Sequence, residues 1–201
     1  MSRFSKEKRE NIEFMLLKEA ELLFCHNDFK KVTVDDIARK VNIGKGTFYH
    51  FYENKEHLYL ELYMRAQSEV FNDVEKIIES ARQYAPKEFC YQVVLKIVEG
   101  FSKRQILYST DVKIWSQVTK KVKKDYNSIH NTADEVVFKK VISAGIRFKY
   151  PDDVVIRLMQ SSCLMAMTLM KSDNEMATSK ILIKALLDYI VEGEEMNEKS
   201  Q

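Results

Sequence analysis

Proline and glycine are scarce in this 201-residue chain, which holds two of the first and five of the second. A protein built from hairpins needs more of both, so the scarcity points to long helices joined by short turns. Cysteine is scarce too. Cys25, Cys90 and Cys163 are far apart and odd in number, with no Cys-x-x-Cys pair. That argues against a disulfide framework and suits buried free thiols in a reducing compartment. Net charge is almost absent, since 32 Lys and Arg against 30 Asp and Glu leave +2. Any attraction to nucleic acid must then come from a local surface. Long hydrophobic runs are missing as well. Leu158 to Met170 is too short to cross a bilayer and contains Gln160, Ser161, Ser162 and Thr168. The opening MSRFSKEKRENIEF lacks the apolar core of a secretory signal, so a cytoplasmic protein without membrane contact is expected.

What is present is ordinary for a globular protein, 45% hydrophobic and 31% charged, and its periodicity is helical throughout. Ser5 can cap a first helix whose face carries Ile12, Met15, Leu16, Ala20 and Leu23, ended by His26-Asn27-Asp28. Thr33 precedes a short second helix with Asp35 and Asp36 in its first turn, and Asn42 is the candidate for a positive φ that stops it. A third helix is predicted over Lys45–Tyr52, a long one over Lys55–Arg82, and another opening at Pro86. Ile106–Val122 is patchier, Asp125–Ile146 is helical, and Tyr150-Pro151-Asp152-Asp153 is a stop and restart. Asp153–Met170 and Ser179–Val191 close the fold before an acidic, solvated tail, EGEEMNEKSQ. No strand, repeat or low-complexity segment is evident. The chain reads as all-α.

The informative stretch is Asn42 to Tyr52, NIGKGTFYHFY. At about 100° per residue, Phe48, Phe51 and Tyr52 share one side of the third helix and should pack on Ile37, Ala38 and Val41. Gly46, Thr47, Tyr49 and His50 share the other, where every side chain longer than glycine can donate a hydrogen bond to a phosphate or a base edge. Glycines at 44 and 46 let a nucleic-acid backbone come close to the main chain, and Lys45 and Lys55 add cations at helix starts. Two short helices, a tight turn and a polar, cationic second helix make a helix-turn-helix, with Lys45–Tyr52 as the recognition helix.

The pattern Thr33-Val34-x-x-Ile37-Ala38, then Asn42-Ile43-Gly44-Lys45-Gly46-Thr47-Phe48-Tyr49-x-Phe51-Tyr52-x-x-Lys55-Glu56-x-Leu58, resembles the N-terminal signature of TetR-type (tetracycline-repressor-like) transcriptional regulators. The resemblance covers roughly residues 10 to 60. It implies a helix-turn-helix domain over 1–54 and a helical ligand-sensing and dimerisation domain over 55–201, with 55–82 as the connecting helix. It also implies DNA-backbone contacts from Thr33, Lys45, Tyr49, His50 and Lys55, and base or close backbone approach at Gly46 and Thr47. Two positions depart from the pattern. Asn42 stands where the family usually has glycine, and Gly44 where a capping serine or threonine is common.

The remainder is read more coarsely. Asp153–Met170 is apolar on nearly all sides and Ser179–Val191 carries a stripe of Ile181, Leu182, Ala185, Leu186, Tyr189 and Ile190. Pairing both helices with their copies gives a four-helix homodimer interface, the arrangement the resemblance also implies. The operator would then be a near-palindrome of double-stranded DNA. Between Leu58 and Phe148, Tyr63, Phe71, Phe101, Tyr108 and Trp115 are either pocket walls for a small, apolar or amphipathic effector or ordinary core. Ligand-released repression is the expected function, with no catalytic residues, cofactor or metal. Two rivals stand beside it: an all-helical enzyme using His50, Glu53 and His57, for which no base, nucleophile and oxyanion set converges in sequence, and a helical small-molecule carrier that does not bind DNA. The basic run Lys120-Lys121-Val122-Lys123-Lys124 reads as a solvated helix end, and His26 and His130 as surface residues.

Overall fold

The computed structural model describes residues 5–122, 126–169 and 176–193, and only the backbone of 126–134. Lys123, Lys124, the His130 side chain, Met170 and the tail from residue 194 lie outside the described residues. Within them the fold is helical: α1 (Lys6–His26), α2 (Val34–Val41), α3 (Lys45–Phe48), α4 (Lys55–Glu79), α5 (Pro86–Lys103), α6 (Gln105–Ser109), α7 (Val112–Lys121), α8 (Tyr126–Ser143), α9 (Asp152–Leu169) and α10 (Met176–Ile190). Several boundaries differ from the sequence reading, α8 ending at Ser143 instead of Ile146 and α10 opening at Met176 instead of Ser179. The third helix ends at Phe48 instead of Tyr52, the long helix gives way to a 3-10 turn at Ala81–Gln83, and the patchy stretch after Ile106 resolves into α6 and α7.

The chain divides into two compact units, residues 1–66 with 105–126, and residues 67–104 with 127–201. The first holds α1, α2, α3, the opening turns of α4, α6 and α7. The Ser5 hydroxyl accepts from the Lys8 N–H at 3.3 Å and starts α1. Leu16, Leu17, Ala20 and Phe24 bury the inner face of that helix. Phe24, Phe29 and Tyr59 form an aromatic cluster with ring centroids 4.9–5.5 Å apart, edge-on where Tyr59 meets the others. The Tyr59 hydroxyl is 2.7 Å from Thr110 Oγ1, and burial still pushes its phenol up to about 12.

The second unit is centred on α5, where Phe89, Cys90, Val93, Val94 and Val98 are fully buried. Helices α9 and α10 pack on each other and on α5. Their close approach uses small side chains: the buried Ser179 hydroxyl donates to the Ala166 carbonyl at 3.2 Å. A single antiparallel bridge, Phe148 with Val191, ties the turn before α9 to the end of α10. All three cysteines are free thiols, as the sequence suggests. Burial pushes Cys90 up to about 12 and Cys25 up to about 11, which leaves both protonated and unreactive near neutral pH.

Gly100 shows where this unit is tightest. A Cβ added there would lie 2.6 Å from Val70 Cγ1. Gly100→Ala is therefore expected to cost about 1–3 kcal/mol of stability through overpacking, read by urea unfolding. Val70→Ala in the same chain should return part of that loss, and unchanged stability in the single variant would mean the helices have room to separate.

Candidate nucleic-acid interface

The helix-turn-helix is built by local hydrogen bonds that its residue types dictate. Beyond α1, the Asp28 carboxylate accepts from the Lys30 N–H at 2.9 Å and the Asp28 carbonyl from the Lys31 N–H at 2.9 Å, an Asx-type turn. Thr33 then caps α2. Its hydroxyl accepts from the Asp36 N–H at 3.2 Å and donates to Asp36 Oδ2 at 2.6 Å, while the Thr33 N–H donates to the same carboxylate at 3.0 Å. This reciprocal capping box, with Arg39 adding an ion pair at 3.3 Å, holds the Asp36 carboxyl below its usual range, the Thr33 hydroxyl contributing most.

Asn42 ends α2 at φ 56°, ψ 46°, the left-handed conformation expected of it, which Asn tolerates better than most residues. The following Ile43 N–H reaches back to the Ala38 carbonyl at 3.0 Å. Gly44 then caps α3 without any side-chain bond. The departure from a capping serine is real: no hydroxyl satisfies the first N–H groups of this helix.

Of the expected inward face, Phe48 is fully buried and Tyr52 nearly so. Phe51 is half-buried, with the Arg9 guanidinium 5.6 Å above its ring. The helix stops after one turn: the Tyr49 N–H still reaches the Lys45 carbonyl four residues back, but those of His50 and Phe51 close on carbonyls three residues back. The outward set is as expected. Lys45, Gly46, Tyr49 and His50 are exposed and Thr47 is half-buried. A Cβ built at Gly44 or Gly46 meets nothing within 4 Å, so the chain's own packing does not require either glycine.

Two cations are engaged inside the chain. Lys45 Nζ lies 2.7 Å from Asp35 Oδ2, and this pairing raises the Lys45 ammonium above its usual value. Lys55, expected at a DNA phosphate, donates to the carbonyls of Phe29 at 2.6 Å, Val32 at 2.7 Å and Lys30 at 3.4 Å. It also lies 4.5 Å from the Phe29 ring centroid. Burial lowers its pKa, the direction that desolvation of an ammonium dictates. Thr33 is likewise occupied by its cap, which leaves Gly46, Thr47, Tyr49 and His50, with the half-exposed Lys45 on its Asp35 partner beside them, as the part of this site open to a ligand.

The start of α4 is braced from a second side. The Asn54 side chain accepts from the His57 N–H at 2.8 Å and donates to the Lys121 carbonyl at 3.4 Å. Lys121 Nζ pairs with the buried Glu56 at 3.2 Å. His57 points inward, its ring 5.5 Å from that of Tyr52 and its Nδ1 3.5 Å from the Glu53 N–H. No three His, Cys, Asp or Glu side chains converge as metal ligands among the described residues. Asp35, Glu56, Lys121 and Arg9 were not legible as site residues, because each acts through a partner at least ten residues away in sequence.

The aromatic residues offered as pocket walls fall into two groups. Tyr63 and Trp115 lie 5.0 Å apart in the first unit, which also holds the half-buried Tyr108. Phe71 and Phe101 lie 6.4 Å apart in the second.

Comparison with known proteins agrees with this geometry. Residues 16–62 match the family model of bacterial regulatory proteins, tetR family. The HTH-type transcriptional regulator YhgD of Bacillus subtilis is 32% identical over 65 residues, 32% of this chain and 34% of that protein. The biofilm operon icaADBC HTH-type negative transcriptional regulator IcaR of Staphylococcus epidermidis is 27% identical over 92 residues, 45% of this chain and 48% of its own length. The matches thus span a third to a half of these curated relatives. The crystal structure of RolR in complex with the ligand resorcinol shares the fold, with a TM-score of 0.60 at 18% identity over 92% of this chain and 90% of that one. No helix among the described residues is long and apolar enough to cross a membrane.

The placement of Lys55 has a measurable consequence. Lys55→Met removes a charged donor from three carbonyls and is expected to cost about 2 kcal/mol of stability, read by thermal or urea unfolding without any DNA present. A lysine that served DNA alone would leave stability unchanged.

Proposed function

On the match of residues 16–62 to the family model of bacterial regulatory proteins, tetR family, we propose that the chain is a TetR-family, ligand-responsive repressor of a near-palindromic DNA operator. Its DNA-binding part is residues 1–54, and residues 55–201 sense the ligand and dimerise. One observation carries the reading most directly. Gly44 and Gly46 have open space where a side chain would go, beside exposed Lys45, Tyr49 and His50. Glycine within a helix costs stability, and at Gly46 no packing inside the protein repays it. A ligand backbone that approaches the main chain does.

In this proposal Lys45, Tyr49 and His50 meet the DNA, the last two at its backbone, and Gly46 and Thr47 meet bases or backbone at close range. Thr33 and Lys55 serve the same surface through the loop they hold, Thr33 beside the phosphates and Lys55 from beneath. Dimerisation through α9 and α10 is supported by the apolar side chains those helices leave uncovered, Leu164 at 66% exposure, Met165 at 51%, Ile181 at 70% and Tyr189 at 60%. Two copies would set the recognition helices roughly one DNA turn apart, about 34–36 Å or somewhat more.

The effector we propose is small and apolar or amphipathic, received either beside Tyr63, Tyr108 and Trp115 of the first unit or beside Phe71 and Phe101 of the second. The relative RolR, solved with resorcinol, supports a small aromatic compound as one form it can take. Effector binding favours a conformer in which the connecting helix α4 has shifted, changing the separation of the recognition helices. By linkage, an effector that weakens DNA binding must itself bind more weakly to the DNA-bound dimer. Equal affinity of effector for free and DNA-bound protein would remove this mechanism.

The test of DNA binding is selection of random duplexes on the purified protein, followed by titration of the enriched sequence at several salt concentrations. An inverted repeat and a steep salt dependence are expected. Gly46→Ala should then leave stability unchanged or raise it by up to about 1 kcal/mol, while weakening operator binding about tenfold, roughly 1.4 kcal/mol. Equal binding by wild type and Gly46→Ala would show that the open space is not used by DNA.

A further inference from the structure

Asp35 plays no part in capping α2. The neighbouring Asp36 closes the capping box with Thr33 and pairs with Arg39, whereas the Asp35 carboxylate is engaged by Lys45 Nζ at 2.7 Å from the first residue of α3. Both side chains are about half open to solvent, 52% for Lys45 and 54% for Asp35. An exposed carboxylate repels phosphates. On a surface that binds DNA it is a liability unless it meets something other than phosphate.

The major groove offers such a group. Cytosine presents its N4 amine as a donor, which Asp accepts, and guanine presents O6 and N7 as acceptors, which Lys donates to. Within one G·C pair, O6 and N4 are themselves hydrogen-bonded, about 2.9 Å apart. A cation and a carboxylate held 2.7 Å apart therefore match that edge, donor against acceptor and acceptor against donor. A T·A pair in the same orientation offers one acceptor and one amine in the middle of the edge, but fits worse at both ends. Thymine puts a methyl where guanine has N7, and adenine puts an acceptor, N7, where cytosine has an apolar C–H.

Resting on the DNA-binding reading, we infer that Asp35 and Lys45 act together as a specificity-determining pair that reads one G·C base pair in each operator half-site, Lys45 on guanine and Asp35 on cytosine. The N-terminal residue of the recognition helix is where base contacts fall in this motif, and Asp35 joins it from the first turn of α2. The ion pair keeps the lysine aligned before DNA arrives, so less side-chain freedom is lost on binding.

The test uses the full chain and the operator from the duplex selection. Every base pair of one half-site is changed in turn, to T·A and to the reversed pair, and dissociation constants are measured at one salt concentration for wild type, Asp35→Ala and Lys45→Ala. Wild type is expected to lose about tenfold or more at one G·C pair. In Asp35→Ala that loss should fall below about threefold while the losses at other positions stand. Lys45→Ala should relax the same pair, and the double variant should add nothing further there. Both positions are exposed and alanine favours a helix, and thermal melting checks that each variant is folded. A uniform rise in affinity for all sequences in Asp35→Ala, with discrimination intact, would make the acid an electrostatic brake and overturn the inference while leaving DNA binding in place. Selection that enriches no sequence at all would remove the DNA-binding reading, and the pair's role with it.

Discussion

The carbonyl oxygens of Phe29 and Val32 sit 2.6 and 2.7 Å from the Lys55 ammonium, and the shape of the helix-turn-helix surface follows from that contact. The loop from Asn27 to Thr33 has no helix to satisfy its carbonyls. A cation arriving from α4 gathers three of them and lies over the loop's own Phe29 ring. That fixes where Thr33 begins α2, which in turn sets where Asn42 turns the chain and where α3 starts. The same turn of α4 is held on its other side by Asn54 and by the pair of Glu56 with Lys121. The recognition helix is a single turn long, far below the length at which a helix is stable by itself. It keeps its place because Phe48 and Tyr52 are buried beneath it and because its two neighbours are fixed by α4.

How much of this was legible in the sequence depends on the range of each interaction. Caps and turns act over three or four residues, so Thr33, Asn42 and the inward direction of Phe48 and Tyr52 could be read from spacing. Phe51 was read as buried by the same rule, yet Arg9 covers it from a helix more than forty positions upstream. Lys55 is the sharper case. A lysine opening a helix is read as a free cation, and its partners lie 23 to 26 residues earlier. Asp35 likewise reads as a first-turn acid favoured by the helix dipole. Only the structure brings it to Lys45. The length of α3 was overestimated because aromatic periodicity continues through Tyr52, although the backbone has already tightened after Phe48.

The glycines show why composition alone does not assign a role. Gly100 is required from within, since a Cβ there would press on Val70. Gly44 and Gly46 are not, since a Cβ at either would meet nothing. In sequence all three are the same residue in a helical context. The difference is whether the missing side chain makes room for the protein or for something else. On the proposed reading, the first kind shapes the core of the second unit and the second kind admits DNA.

An acid beside a cation on a DNA-binding face poses the same question in electrostatic form. If Lys45 served only to attract phosphate, Asp35 would cancel much of its charge before DNA arrived, and a chain with a net charge of only +2 would lose part of what it has. Affinity argues against the pair. Specificity argues for it, because a carboxylate penalises every approach except one that presents an amine, and the major groove presents amines only at chosen bases. Lys55 extends the argument, since its charge is turned inward to hold the loop. On this surface two lysines are diverted from the phosphates, one to build the interface and the other, in the inference drawn above, to read the sequence. Arrangement of charge, more than its amount, then sets what this protein binds.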